Sequence, residues 1–298
     1  DGSNPELVKA VESLLSKELQ QESINKINKL IEDGRKAKLI DKTDKLDSHY
    51  SFLGKIYERV SNFIGTAVLW TDIKTVTNLK NSVVVGNYFD TFARLYFNNS
   101  NLTIEEFEIE LKKRKDYKQF SNINTKNIFD VNKKRFNDLK KEIQAKHNDD
   151  NLVFITDEIF VHQNFKNGKF DGVAGTLDMV VVDSQGQVHI YDFKTSAENN
   201  TRYLVTKNKL EASYQGGESS AKKWAKQQTA YSEMLKNTLG YSPSLNIIAI
   251  PVIYKSEEYK GNLELVSIDN FKPKPIVSTI ATTSPFIYVL SESAETKA

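Results

Sequence analysis

No cysteine occurs in the 298 residues. That excludes disulfides, thiolate zinc sites, cysteine-ligated iron–sulfur clusters and a cysteine nucleophile. There is no G-x-x-x-x-G-K-[ST] loop, so a P-loop motor is excluded and no nucleotide cofactor is expected. No apolar run approaches the ~18 residues that suggest a membrane span. The first residues show no secretory signal pattern, so a cytoplasmic, intracellular protein with no membrane partner is expected. Net charge is scarce as well: 41 Lys and Arg against 39 Asp and Glu leave only +2. Any affinity for nucleic acid must therefore come from local clusters, such as 133–146 or 222–226. The four histidines, His49, His147, His162 and His189, show no metal-ligand spacing.

The chain is otherwise ordinary in composition, 39% hydrophobic and 27% charged, which suits a soluble domain with a sizeable core. Apolar residues recur at helical spacing over 4–33, where Asn4–Pro5 makes a cap and first turn. Helical patterns continue at 49–64, 82–99, 103–120 and 127–147, the third opened by a Thr103/Glu106 capping box. The pattern then changes to strands. "NLVFITDEIFVHQNF" (151–165) reads as one strand, "KNGKFDG" as a turn, and "GTLDMVVVD" and "QVHIYDFKT" as two more strands. A helix over 218–239 and a strand over 245–254 complete an α/β order with a helical N-terminal layer.

Within the strands stand three charges, Asp178, Asp192 and Lys194. Charged groups are rarely buried unless paired or bound to a metal, because desolvation is costly. The loop Ser184–Gly186, with Gly where positive φ is needed, suits a three-residue hairpin connection. If the hairpin is symmetric about Gln185, Asp178 and Asp192, each seven residues away, face each other. Lys194 shares the face of Asp192. Two carboxylates that close repel unless a cation lies between them. Hard oxygen ligands suit Mg²⁺ or Mn²⁺, one or two ions; the alternative is a structural ion-pair cluster. By the same alternation His189 falls on the opposite face and reads as a packing residue.

"GTLD" and "DFK" thirteen residues on resemble the PD-(D/E)XK nuclease superfamily, and "DFKTS" resembles its RecB-like branch. That branch follows with a Q-x-x-x-Y helix, supplied here by Gln227 and Tyr231 in "KKWAKQQTAYSEML". Its upstream G-x-x-x-H helix corresponds to "VGNYFDTFARLYF", where Gly86 is followed by Asp90 instead of His. Asp90 is then either an oxygen ligand or a surface partner of Arg94 one turn on. Glu158 matches a position where relatives carry Glu, as an outer ligand or a support for Lys194; otherwise it is a surface residue.

The resemblance covers 83–98 and 152–254 and implies a restriction-endonuclease-like core. In it a central mixed sheet (a β-meander, a helix, a further strand) is flanked by helices, with a helical region over 1–80. The core spans 81–290 with a helical insertion at 100–150, and 291–298 is a flexible tail. It implies a nuclease acting on DNA, in which Asp178, Asp192 and the Phe193 carbonyl hold the metal. Lys194 positions a water for in-line attack, and Gln227 and Tyr231 contact the scissile region unless they only pack. Lys222, Lys223 and Lys226 are placed for phosphate contacts or form a solvated basic face; Trp224 stacks on a base or anchors the core. The polar segment from Lys194 to the helix reads as a flap. A helicase or other recombination partner would sit on a separate chain. An inactive DNA-binding module of the same fold and an RNA-processing nuclease are the other readings.

Overall fold

The computed structural model describes residues 4–64, 87, 90–114, 125–196 and 220–254, with short strands at 263–265, 280–282 and 287–290. Helix α1 (Pro5–Lys36) starts as its sequence requires: Asn4 Oδ1 accepts from Glu6 N at 3.0 Å, and Pro5 fills the first turn. Only its second half is buried, through Ser23, Ile27, Leu30 and Ile31.

The N-terminal region is not purely helical, and the helix expected over 49–64 is largely absent. Strands β1 (Lys38–Ile40), β2 (His49–Phe52) and β3 (Lys55–Arg59) precede a single helical turn, α2 (Val60–Phe63). The cause is local. Leu53 and Gly54 both take positive φ, 49° and 76°, and tie β2 to β3 in a tight antiparallel hairpin. Phe52 and Tyr57 then bury against Phe160 and Ala174, which stabilises strand over helix.

Helix α3 (90–98) falls within the segment expected to be helical. Helix α4 (Ile104–Lys112) carries the expected capping box: Thr103 Oγ1 accepts from Glu106 N at 3.2 Å, and Thr103 N donates back to Glu106 Oε1. It ends at Lys112, short of the expected 120. Helix α5 (Thr125–His147) matches its pattern closely. The aromatic rings of α3, α4 and α5 form one cluster, with Phe92 edge-on to Phe107 at 5.4 Å and near-stacked on Tyr96 at 5.9 Å. Each fully buried ring stabilises the fold by roughly 1.5–3 kcal/mol.

The strands that follow are β4 (Val153–Ile155), β5 (Ile159–Asn167), β6 (Phe170–Leu177), β7 (Met179–Val182) and β8 (Val188–Ser196). Helix α6 (Ser220–Leu239) leads to β9 (Ser244–Tyr254), and β10 (Leu263–Leu265), β11 (Ile280–Thr282) and β12 (Ile287–Leu290) follow. The architecture is α/β, but the strands form two mixed sheets instead of one. The first has the order β1-β2-β3-β6-β5; the second has β11-β12-β9-β8-β7-β4, with β10 on β9. Strand β3 runs parallel to β6, and β8 parallel to β9. A second core lies between these strands, α1 and α6, and includes Ile27, Val180, Ile190 and Leu235. Among the described residues no helix is long and apolar enough to cross a membrane. The segment read as a flap and the tail at 291–298 lie outside the described residues.

A candidate active site where two sheets part

Two segments expected to be single strands each break and change sheets at the same level. The chain 151–165 divides into β4 and β5 at Thr156–Glu158, and "GTLDMVVVD" divides into β6 and β7 at Asp178. Below the break Ile155 pairs with Val180; above it Ile159 pairs with Leu177. Three residues on one side therefore oppose two on the other, the count of a bulge. Such a bulge re-aims side chains, and it opens a gap beside β8, where Leu177 would otherwise have continued the pairing.

The hairpin register agrees with the symmetry about Gln185. Met179 pairs with Tyr191, Val180 with Ile190, Val181 with His189 and Val182 with Val188. Gly186 takes φ 79°, and Asp183 Oδ1 accepts from both Gln185 N and Gln187 N at 2.9 Å. The two faces separate cleanly. Val180, Val182, Val188 and Ile190 lie in the core against α6, while Met179, Val181, Tyr191 and Phe193 lie in the aromatic core. Continuing the alternation by one step puts Asp178 and Asp192 on the α6 face, opposite each other. Asp192 is 5% exposed.

Asp178 Oδ2 accepts from Phe193 N at 3.0 Å. A strand residue directs its N–H and C=O to the same side, so the Phe193 carbonyl also faces the gap left by β7. Tyr231 on α6 closes the other side. Burial pushes its hydroxyl well above the ordinary range, and the Asp192 and Asp178 carboxylates push it further. Both carboxylates thus bear on one phenol. Gln227 Nε2 reaches the Tyr231 hydroxyl at 3.4 Å, the i, i+4 contact that the Q-x-x-x-Y spacing suggests. The ring fits because Gly175 lies beneath it: a Cβ there would stand 2.7 Å from Tyr231 Cε1.

Asp178 also lines a cavity of about 180 Å³. Asp90, Glu158, Asp178 and Phe193 all line it, so residues drawn from three separate segments meet in one space. Glu158 stands in the break itself and is exposed, as is Asp90 on α3; Glu158 is not a strand residue as expected. Thr156 Oγ1 donates to the Arg94 carbonyl at 2.8 Å and so ties the break to α3. Sequence reasoning missed Arg94 and Arg114 as cavity residues. The only signal for the first was its place one turn after Asp90.

Lys194 continues β8, paired with Ala249, and Lys222, Lys223 and Lys226 lie on the first turns of α6. Their side chains and that of Trp224 lie outside the described residues. Among the described residues no three His, Asp or Glu side chains stand close enough together to form a metal set. The donors at the junction are nevertheless hard carboxylate and carbonyl oxygens, the chemistry that Mg²⁺ and Mn²⁺ take.

The far end of the same hairpin holds a second polar cluster. His189 does more than pack. Its Nε2 lies 2.9 Å from Asp183 Oδ2 and its Nδ1 2.5 Å from Ser244 Oγ. Asn246 donates to Ser244 Oγ at 3.1 Å, and Lys146 donates to Asn246 Oδ1 at 2.7 Å. The contacts run without a gap from a lysine to an aspartate. His147 stacks on His189 at 4.1 Å between ring centres and lies 2.6 Å from the Tyr191 hydroxyl. Burial first, then His189 and Lys146, push the His147 imidazole down to about 4. Desolvation lowers the Lys146 ammonium to about 8.

No family model, curated protein or solved structure matches this chain.

Proposed function

We propose that this chain is a divalent-metal-dependent nuclease that hydrolyses DNA phosphodiester bonds. One observation carries the reading: the hairpin register, continued one step past the Met179–Tyr191 pair, would bring Asp178 opposite Asp192 at a break in the sheets, and Asp178 lines a cavity there. A buried carboxylate, Asp192, and a half-buried one, Asp178, so placed repel unless a cation or proton intervenes. Asp178, Asp192 and the Phe193 carbonyl would hold Mg²⁺ or Mn²⁺, with Asp90 and Glu158 as further oxygen donors. Such an ion, when bound, supplies a Lewis acid and a bound water of lowered pKa.

The protein's own groups do the rest. Lys194, two residues after Asp192 on β8, orients the water and offsets charge developing on the phosphate. Tyr231, held by Gln227 and seated on Gly175, fixes the wall against which the carboxylates stand. Lys222, Lys223 and Lys226 contact backbone phosphates. Under this reading the β7–β8 hairpin, α6 and β9 form the centre of a restriction-endonuclease-like core, and a helicase partner would act from another chain.

The test is incubation of labelled single- and double-stranded DNA with Mg²⁺ or Mn²⁺, beside Asp192→Ala and Lys194→Ala. Metal-dependent cleavage by the wild type, lost in both variants, is the expected result. Cleavage of nothing under either ion sinks the reading, and DNA binding without cleavage leaves the inactive module of the same fold.

A further inference from the structure

Helix α1 carries a glycine, Gly34, inside its last turn. Gly34 takes no left-handed φ and does not cap the helix, a part that falls to Ala37. A glycine inside a helix is less stable than alanine there, so this one needs another reason. The reason is room. A Cβ at Gly34 would stand 2.8 Å from the Glu158 carbonyl oxygen and 3.3 Å from Phe160 Cβ. Those atoms belong to the backbone and to the root of a buried ring, and neither can swing aside as the end of a flexible side chain can.

The contact falls on the break between β4 and β5, and all three residues of that break are held. Thr156 Oγ1 donates to the Arg94 carbonyl and Asn98 Nδ2 lies 3.5 Å from Asp157 Oδ1, so α3 takes two of them. Glu158 has its carbonyl against α1, and the chain after it is fixed by Ile159 and Phe160, both fully buried. Glu158 itself is exposed. It lines the cavity beside Asp178 and a second one of about 360 Å³, which Ile31 and Arg35 of α1 line too. Together the two cavities make a cleft. Ile31, Gly34 and Arg35 stand at i, i+3 and i+4, so the face of α1 that rests on the break is also the face turned to the cleft.

We infer that Gly34 is a positioning residue: it lets α1 rest on the Glu158 carbonyl, and this contact, with the Thr156 bond to α3, holds the Glu158 carboxylate at the junction beside Asp178. The inference rests on the nuclease reading, which makes Glu158 a donor to the divalent ion. It adds a form of regulation to that site, since the ion is held tightly only while the end of α1 is seated.

Mn²⁺ titrated into the full chain, with the free ion followed by electron paramagnetic resonance and urea unfolding run beside it, tests this without cleavage. Gly34→Ala is expected to weaken Mn²⁺ binding roughly ten-fold while a cooperative unfolding transition remains. Thr156→Val, which keeps the shape and loses the hydroxyl, should weaken it by a smaller factor. Neither substitution should matter further once Glu158→Gln has removed the carboxylate, because the double-mutant cycle then has nothing left to place. Unchanged affinity in Gly34→Ala, or in Thr156→Val should the former not fold, overturns the inference. So does an equal loss in the Glu158→Gln background. The two readings fail separately. Mn²⁺ binding that ignores both substitutions, with cleavage intact, removes the positioning role and keeps the nuclease; binding that follows them with no DNA cleavage under Mg²⁺ or Mn²⁺ does the reverse.

Discussion

The two ends of the β7–β8 hairpin are both rich in charge, and they use it in opposite ways. At the turn, nearly every polar group is bonded within the chain. The Gly186 carbonyl accepts from Ser23 and Tyr241, the Val182 carbonyl from Gln20, and Asp149 from both the amide and the hydroxyl of Ser184. At the open end the strands part, and carboxylates and arginines line a cleft. The turn is a clamp, held by contacts with α1, α5 and β9. A cluster of titratable side chains is therefore poor evidence of function by itself; what distinguishes the junction is space beside it.

The comparison breaks most decisively at Asp192. Asp192→Ala should lower metal-dependent cleavage by at least about a hundred-fold while leaving the urea midpoint unchanged or raised, since it removes a buried carboxylate. A variant that cuts normally would show the junction to be structural like the turn.

Next in size is Gly175→Ala, whose new methyl would meet the Tyr231 ring at 2.7 Å and Val60 Cγ2 at 3.1 Å. A loss of about 1–3 kcal/mol in urea unfolding is expected, with cleavage impaired through the displaced ring. Asp149→Ala should cost about 1–2 kcal/mol by freeing the Ser184 amide, with cleavage retained. Loss of cleavage with normal stability in Asp149→Ala would erase the distinction between the two ends.

The smallest effect is a pH dependence confined to the turn. The folded His147 titrates at about 4 against an ordinary 6.5, with His189, Lys146, Asp183 and Asp149 as the charged neighbours that act on it. Between those values the unfolded chain binds more protons than the folded one, so stability rises with pH across that window and is lost on acidification. Thermal melts from neutral pH down to pH 5 should show this slope in the wild type and a flatter one in His147→Gln. Equal slopes would mean that the stacked imidazoles do not set it.

Much of the junction was legible because it depends on near neighbours. The Ser-Gln-Gly turn fixes the register, and alternation alone carries that register out to Asp178 and Asp192. The Gln227–Tyr231 contact is likewise one turn of helix. What escaped was set by distant partners. The hairpin at 49–59 turns on Leu53 at positive φ, where Asn-Gly would have announced it, and its stability comes from Phe160 and Ala174 more than a hundred residues away. The break at Asp178 has no turn residue to mark it; it exists because β5 and β6 join β3 while β4 and β7 join β8. The chain of polar contacts from Lys146 to Asp183 draws on three segments, so no local spacing could reveal it.

The seat of α1 on the hairpin turn bears on the order in which the molecule is made. Ser23 bonds to Gly186, 163 positions later in the chain, and a side chain on Gly186 would strike the Leu19 carbonyl. At a synthesis rate of about 5–20 residues per second, α1 waits roughly 8–30 s for the surface it will cover. The meander from β5 to β8 closes through short loops and needs no such delay. Docking of α1 is thus a late, long-range step in folding. The end of α1 that lines the cleft, with Arg35, is put in place only when that step is complete.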